Sequence, residues 1–305
     1  MLQQRNPIND NLIVNINGRL LPRDQAGVSP FDSSVQNGDA VWEGLRLYNG
    51  RIFRLQDHLA RLHKSAGMLK YEGMPSDEQL IRELKRTLVA NNMVDGVHVR
   101  LTVSRGVKYT SGLDPRINTN GCSFFILAEH KPPVFDNTRG IRLIIAKQRR
   151  PFASVLDQNI HSCNQLTSIL AKLEANAAGV DDAILLDTDG MLAETSSTHV
   201  FLVKSGRVIT STTRACPEGI TRAVILEICQ EIGLPVDVRD VSAAELMAAD
   251  EMFVSGTMGE ITPVAGLEGQ NFETTPGRIT AGISTEFHKK SLSPAEGTSL
   301  VAGEA

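Results

Sequence analysis

Apolar and polar residues alternate strictly along Val97-His98-Val99-Arg100-Leu101-Thr102-Val103-Ser104, which predicts a half-buried strand with Arg100 on its polar side. Leu55, Leu59, Leu62, Ala66 and Leu69 recur at helical spacing instead. Ser76 with Gln79 forms a capping box ahead of Leu80, Leu84 and Leu88, so a second helix starts there. Cys122 to Ala128 is a short apolar strand, and Glu129-His130-Lys131-Pro132-Pro133 then breaks the pattern. A double proline continues neither a ladder nor a helix, so this stretch reads as a linker. Beyond it, Ile141 to Ala146 predicts a strand, and Leu166, Ile169, Leu170 and Leu173 mark a helix. Strands follow at Ala183 to Leu186 and Val200 to Val203, with Asp189-Gly190 and Ser205-Gly206 as turns. Thr221 to Ile232 is a helix ended by Gly233.

This alternation of strands and helices predicts an α/β protein, and 305 residues suffice for two modest domains. The boundaries predicted are an N-terminal α/β domain over 1–131, a linker over 132–137 and a C-terminal α/β domain over 138–290. Residues 291–305 are small and polar, which predicts a disordered tail. No internal repeat is evident. A net charge of −4 without a long basic run gives no support for nucleic acid or anionic membrane partners. The polar N-terminus lacks the apolar run of a signal peptide, and no apolar stretch is long enough to span a bilayer. Cys122, Cys163, Cys216 and Cys229 fit no metal-ligand spacing, so no metal is expected and the thiols read as those of a reduced, cytoplasmic protein.

Several segments carry candidate chemistry. Near the start are Asn17-Gly18-Arg19, Asp32 and Gly38-Asp39-Ala40-Val41-Trp42-Glu43, followed by His58-Leu59-Ala60-Arg61-Leu62. Farther on lie Asn159-Ile160-His161-Ser162-Cys163-Asn164-Gln165-Leu166, then Glu194 with Thr195 to Phe201, and Gly219-Ile220-Thr221-Arg222. The last is Ser255-Gly256-Thr257-Met258-Gly259-Glu260-Ile261-Thr262-Pro263. Gly219-Ile220-Thr221 opens a helix, so its N–H groups and the Thr221 hydroxyl suit an anion. Gly256-Thr257 follows an apolar strand, where glycine permits close backbone approach.

In this order, from about Ile13 to about His288, the segments resemble the class IV aminotransferases, the fold-type IV pyridoxal phosphate enzymes. That family includes branched-chain and D-amino acid aminotransferases and aminodeoxychorismate lyase. The resemblance implies a two-domain, D-amino acid aminotransferase-like fold with a cofactor cleft between the domains. It makes Arg61 a phosphate ligand, together with Ile220, Thr221, Gly256 and Thr257, and Glu194 the partner of the pyridine nitrogen. Ser197 aligns with a serine beside the cofactor. The Thr257-Met258-Gly259 turn aligns with one whose N–H groups receive a substrate carboxylate, and Arg100 and Asn37 with substrate-pocket positions. It further implies a homodimer or higher homo-oligomer acting on a small molecule, with the polar Arg105–Gly121 segment suited to reach a neighbouring subunit.

One position departs from the family. Members read Ile-Lys-x-x-Asn where this chain reads Ile160-His161-Ser162-Cys163-Asn164, and the lysine bonds covalently to the cofactor. Imidazole cannot do so, yet when neutral it is a competent base. Neither Lys147 nor Lys172 aligns as a replacement. Asn37, Gln165, Thr195 and His199 also differ from the usual residues. The leading expectation is an atypical aminotransferase-like enzyme that binds pyridoxal 5'-phosphate or pyridoxamine 5'-phosphate non-covalently. It would act on an amino acid, keto acid or related carbonyl compound, with His161 moving protons at the cofactor's C4′ carbon. Ordinary transamination at a reduced rate, a non-catalytic cofactor-binding protein, and a cofactor-independent enzyme on the same fold stay open.

Overall fold

The computed structural model describes residues 5–301. The chain forms two compact units. The N-terminal unit takes the residues up to Pro132, and also Ile160–Asn164 and the segment from Ser291 on. The C-terminal unit takes Pro133–Asn159 and Gln165–Lys290. The linear boundaries read from the sequence therefore miss two pieces of chain that return to the N-terminal unit.

In the N-terminal unit the elements run β1 (Ile13–Ile16), β2 (Arg19–Pro22), α1 (Ser33–Asn37), β3 (Ala40–Tyr48), β4 (Arg51–Phe53), α2 (Leu55–Met68), α3 (Asp77–Ala90), β5 (Val97–Ser104) and β6 (Ser123–His130). Asn17 and Gly18 both take positive φ, 52° and 81°, the conformation of a two-residue hairpin turn between β1 and β2. The alternation that announced β5 places Val97, Val99, Leu101 and Val103 at full burial against Leu45 and Leu47 of β3 and the leucines of α2 and α3. Ser76 caps α3 by accepting from the Gln79 N–H at 3.3 Å.

The segment 160–164 lies along the start of β3. Trp42 N–H donates to the His161 carbonyl at 3.0 Å, Cys163 N–H donates to the Ala40 carbonyl at 2.8 Å, and Val41 bridges Ser162.

The C-terminal unit contains β7 (Ile141–Arg150), α4 (Ala153–Leu156), α5 (Leu166–Ala177), β8 (Asp182–Asp187), β9 (Leu192–Thr195), β10 (His199–Lys204), β11 (Arg207–Thr210), α6 (Ile220–Glu231), β12 (Val236–Val238), α7 (Ala243–Met247), β13 (Glu251–Gly256), β14 (Glu260–Leu267), β15 (Gln270–Asn271) and α8 (Arg278–Leu292, whose last two residues group with the N-terminal unit). Its sheet runs β12-β11-β10-β13-β14-β7-β8-β9, with β15 beside β14. β7 is parallel to both neighbours, and its pairing with β8 shifts register between Ile145 and Arg149. That irregularity lets β7 extend to Arg150, past the Ala146 end expected from its apolar run. α5 exists where its leucines mark it, but Leu166, Ile169, Leu170 and Leu173 are 73%, 52%, 44% and 57% exposed. Its buried face is made of small residues, Ser168, Ala171 and Ala175. α6 buries Val224, Ile225, Ile228 and Cys229, and Gly233 turns the chain away at φ 67°.

A disordered tail over 291–305 is not what the structure shows. β16 (Gly297–Ser299) pairs antiparallel with β4, completing a sheet in the order β16-β4-β3-β5-β6-β1-β2. Leu300 and Val301 join the N-terminal core. A polar composition did not prevent this, because an open strand edge satisfies backbone groups whatever the side chains are. Residues 302–305 lie outside the described residues.

Candidate active site

β3 sends Val41, Leu45 and Leu47 into the apolar core, and Glu43 has the same parity. A carboxylate at a core position must be paired, and α2 supplies the partners. Arg61 donates through Nε to Glu43 Oε1 at 2.8 Å and through a terminal nitrogen to Oε2 at 2.7 Å. His58 Nδ1 lies 2.7 Å from the same Oε2. Burial works to raise the Glu43 pKa, but Arg61, with His161 and His58, outweighs it and holds this carboxyl well below the usual carboxylate range. The bidentate pair fixes the plane of the guanidinium.

His161 stands at the edge of this cluster, Nδ1 3.7 Å from Glu43 Oε1. Its ring stacks on Trp42 at 4.5 Å, and Nδ1–H donates to the Trp42 carbonyl at 2.5 Å. A carbonyl only accepts, so the contact fixes the tautomer and leaves Nε2 as the basic nitrogen. Burial and then the Arg61 charge push the His161 pKa down to about 4, against the opposing pull of Glu43. The imidazole is therefore neutral at neutral pH. Neither nearby lysine in the sequence takes its place, since Lys172 donates to the Asp181 carbonyl and Lys147 is exposed on β7.

The substrate-pocket candidates of this unit sit nearby. The Arg100 guanidinium lies 4.0 Å above the Trp42 ring and meets Cys163 Sγ at 3.6 Å. Asn37 ends α1, and its Oδ1 accepts from Lys108, a residue to which the sequence reading gives no role. The Lys108 ammonium also donates to the Gly112 carbonyl at 2.6 Å, and it has no carboxylate partner among the described residues. Lys108 is only 5% exposed. A buried cation bonded only to neutral oxygens is poorly compensated. A lysine in a glycine-rich loop carries no pattern that distinguishes it from a solvated one, so the sequence alone does not reveal it.

In the C-terminal unit, Glu194 lies on β9, buried, with Oε1 2.9 Å from an Arg150 terminal nitrogen. Arg150 also donates to Ser168 Oγ at 2.8 Å, and Ser168 donates to Gln165 at 3.0 Å. Gln165 thus supports the Glu194 partner. Thr195 closes the turn that follows, since its Oγ accepts from Thr198 N–H at 3.0 Å and Ser197 N–H at 3.3 Å. Ser197 itself is exposed at the tip of this turn. Gly256 lies against it, where an added Cβ would meet the Thr198 methyl at 3.3 Å.

The turn 256–259 is closed by Gly259 N–H donating to the Gly256 carbonyl at 3.1 Å. Gly259 N–H is thereby committed, which leaves the N–H groups of Thr257 and Met258 as the turn's candidates for a carboxylate. The Met258 carbonyl is taken by Val134 N–H at 3.1 Å and that of Gly259 by the Asn137 amide at 3.0 Å, so both are engaged within the unit. At the opening of α6 the cap residue Gly219 makes no side-chain hydrogen bond, and an added Cβ would lie 2.3 Å from His199 Nε2. A side chain there would have to displace the His199 ring, so glycine keeps the backbone before Ile220 and the buried Thr221 bare.

The two sheets and their helices define a mixed α/β protein. The class IV aminotransferase family model matches residues 40–267. The chain belongs to that family. It is 44% identical over 284 residues to branched-chain-amino-acid aminotransferase-like protein 2 of Arabidopsis thaliana, covering 93% of this chain and 51% of the plant protein. It therefore spans about half the length of that relative. A putative branched-chain-amino-acid aminotransferase of Methanocaldococcus jannaschii is 37% identical over 274 residues, 89% of this chain and 94% of its own. Among solved structures, the branched-chain aminotransferase of the thermophilic archaeon Thermoproteus uzoniensis with norvaline superposes with a TM-score of 0.87 at 28% identity, covering 95% of this chain and 100% of that one. No described helix is long and apolar enough to cross a membrane.

Proposed function

We propose that the chain is an aminotransferase-like enzyme that holds pyridoxal 5'-phosphate or pyridoxamine 5'-phosphate without a covalent bond and uses His161 as its proton-transfer group. The observation that carries this reading is the fixed His161 tautomer, with Nδ1–H spent on the Trp42 carbonyl and Nε2 basic. When bound, the cofactor supplies an electron-accepting ring and a carbon that carries an amino group between substrates.

The residues present fit the group. On the C-terminal unit, the bare first turn of α6 with Thr221, and Gly256 with Thr257, suit its phosphate. Glu194, held as a carboxylate partner by Arg150, suits its ring nitrogen. On the N-terminal unit, Arg61, its plane set by Glu43, suits a phosphate by its fixed guanidinium. Arg100 and Lys108 are the cations for a substrate carboxylate, with Asn37 beside Lys108. Neutral His161 can take up and release a proton at Nε2, and would serve there as the acid–base group for the chemistry the cofactor would supply.

The stack on Trp42 also favours a second reading, in which His161 is packed in a retired site and the protein only binds the cofactor. A homodimer and a cytoplasmic setting complete the proposal. The former is favoured by the tip of the 105–121 loop, where Tyr109 and Leu113 are 68% and 84% exposed. Absorbance titration of the purified chain with each cofactor, followed by turnover assays with amino and keto acids, tests the reading. Binding with turnover supports it, binding without turnover selects the second reading, and no binding removes both.

A further inference from the structure

Residues 211–219 join β11 to α6 without regular structure, yet the first turn of α6 has to be held still if it is to receive an anion. The start of this loop is tied directly beside Glu194, where Ser211 Oγ donates to the Ala193 carbonyl at 2.9 Å. Its middle is held by Arg214. The guanidinium donates through Nε and a terminal nitrogen to one oxygen of Asp187, at 2.9 and 2.7 Å. It also reaches Asp240 at 3.2 Å and Asp189 at 3.5 Å, and lies over the Phe152 ring at 5.5 Å.

Asp187 is the informative partner, because its side chain is buried and its other oxygen is already engaged. That oxygen accepts from Asp189 N–H and Met191 N–H, both at 2.9 Å, and so shapes the turn between β8 and β9. One carboxylate therefore grips the hairpin that carries Glu194 with one oxygen and the loop that leads into α6 with the other. Asp189 and Asp240 are largely exposed, and pairs of that kind contribute little. The grip on buried Asp187 is of the stronger, charge-assisted kind.

We propose that Arg214 is a positioning residue that braces loop 211–219, and with it the anion-receiving first turn of α6, against the β8–β9 hairpin. The inference rests on the cofactor reading above for the identity of the anion, the cofactor's phosphate. Removing Arg214 also leaves Asp187, Asp189 and Asp240 to repel one another, which pushes the loop and hairpin apart.

The test compares the full chain with Arg214→Gln and Arg214→Lys. Calorimetric titration measures pyridoxamine 5'-phosphate and pyridoxamine, which lack the aldehyde that reacts with surface lysines. Amide hydrogen exchange is read over residues 211–222 in the absence of either compound. Arg214→Gln is expected to weaken the phosphorylated compound ~10-fold or more while pyridoxamine changes less than ~2-fold, since only the phosphate depends on the braced turn. Exchange over 211–222 is expected to quicken, and Arg214→Lys, which keeps the charge without the fork, to fall between the two. Unaltered exchange overturns the brace, whatever binds. Quickened exchange with equal weakening of both compounds overturns its link to the phosphate. If the unsubstituted chain binds neither compound, the cofactor reading fails instead, and the exchange result still decides the brace.

Discussion

His161 donates Nδ1–H to the carbonyl of Trp42 and stacks on the indole of that same residue, so one neighbour sets both its tautomer and its ring plane. Alanine at 161 removes the base and leaves the proposed cofactor anchors on Arg61, Glu194 and Thr221 intact. His161→Ala is expected to hold pyridoxamine 5'-phosphate within ~3-fold of the unsubstituted chain while turnover falls ~100-fold or more. His161→Lys is expected to give a shifted absorbance band with pyridoxal 5'-phosphate. Undiminished turnover in the alanine variant would remove His161 from the chemistry.

Glu43 is the keystone of the N-terminal cluster. Glu43→Gln leaves Arg61 and His58 without their buried anion and is expected to cost ~3–5 kcal/mol of stability, measured by urea unfolding at neutral pH. The carboxylate also supports the protonated form of His161, so its loss is expected to move the His161 titration further down from about 4. Carbon- or nitrogen-detected NMR of the imidazole reads that shift. An unmoved titration would mean that the 3.7 Å contact carries no coupling.

Acid is expected to weaken the fold in two windows. His161 and buried His98 have folded pKa values of about 4 and about 3, below the unfolded value of 6.5. The unfolded chain then takes up protons first, so their contribution is fully present above pH 6.5 and is lost as pH falls toward these values. Glu43, also depressed, adds its loss only below its unfolded value of 4.5. Urea midpoints measured between pH 7.5 and 5 should fall, and the fall should be shallower in His98→Gln. A flat profile across that range would contradict the burial of both imidazoles.

Lys108 bonds only neutral oxygens, so replacing it with methionine removes a buried cation without stranding an anion. Lys108→Met is expected to leave stability unchanged or raised, and to increase KM for carboxylate substrates ~10-fold. Arg100→Ala is expected to weaken anionic substrates selectively. Unchanged KM with lowered stability would make Lys108 a structural residue, and equal weakening of neutral and anionic ligands would do the same for Arg100.

Elements with a one-sided apolar pattern were legible. β5 could be read as a strand because every second residue meets the leucines of α2 and α3. It is not half-buried as expected, since His98, Thr102 and Ser104 on its polar side are buried as well. α5 was found for a reason that misleads about its packing, since its large residues face outward and alanines make the contact with β7 and β8. The tail was missed because backbone pairing with β4 has no composition signal. At the site, motifs named Arg61 and Glu194 but not their holders. Glu43 was visible within its motif, and its core parity on β3 was the unused clue. Lys108 and Arg150 depend on loop and bulge geometry that residue spacing does not encode.

The main chain of 160–164 is laid beside β3 by backbone bonds from Trp42 to His161 and from Cys163 to Ala40. Neither bond involves a side chain. The fold thus treats position 161 as a socket whose shape is set by the ladder, whatever plug is inserted. The ladder sets the backbone path at position 161, and the residue carried there sets the reagent presented.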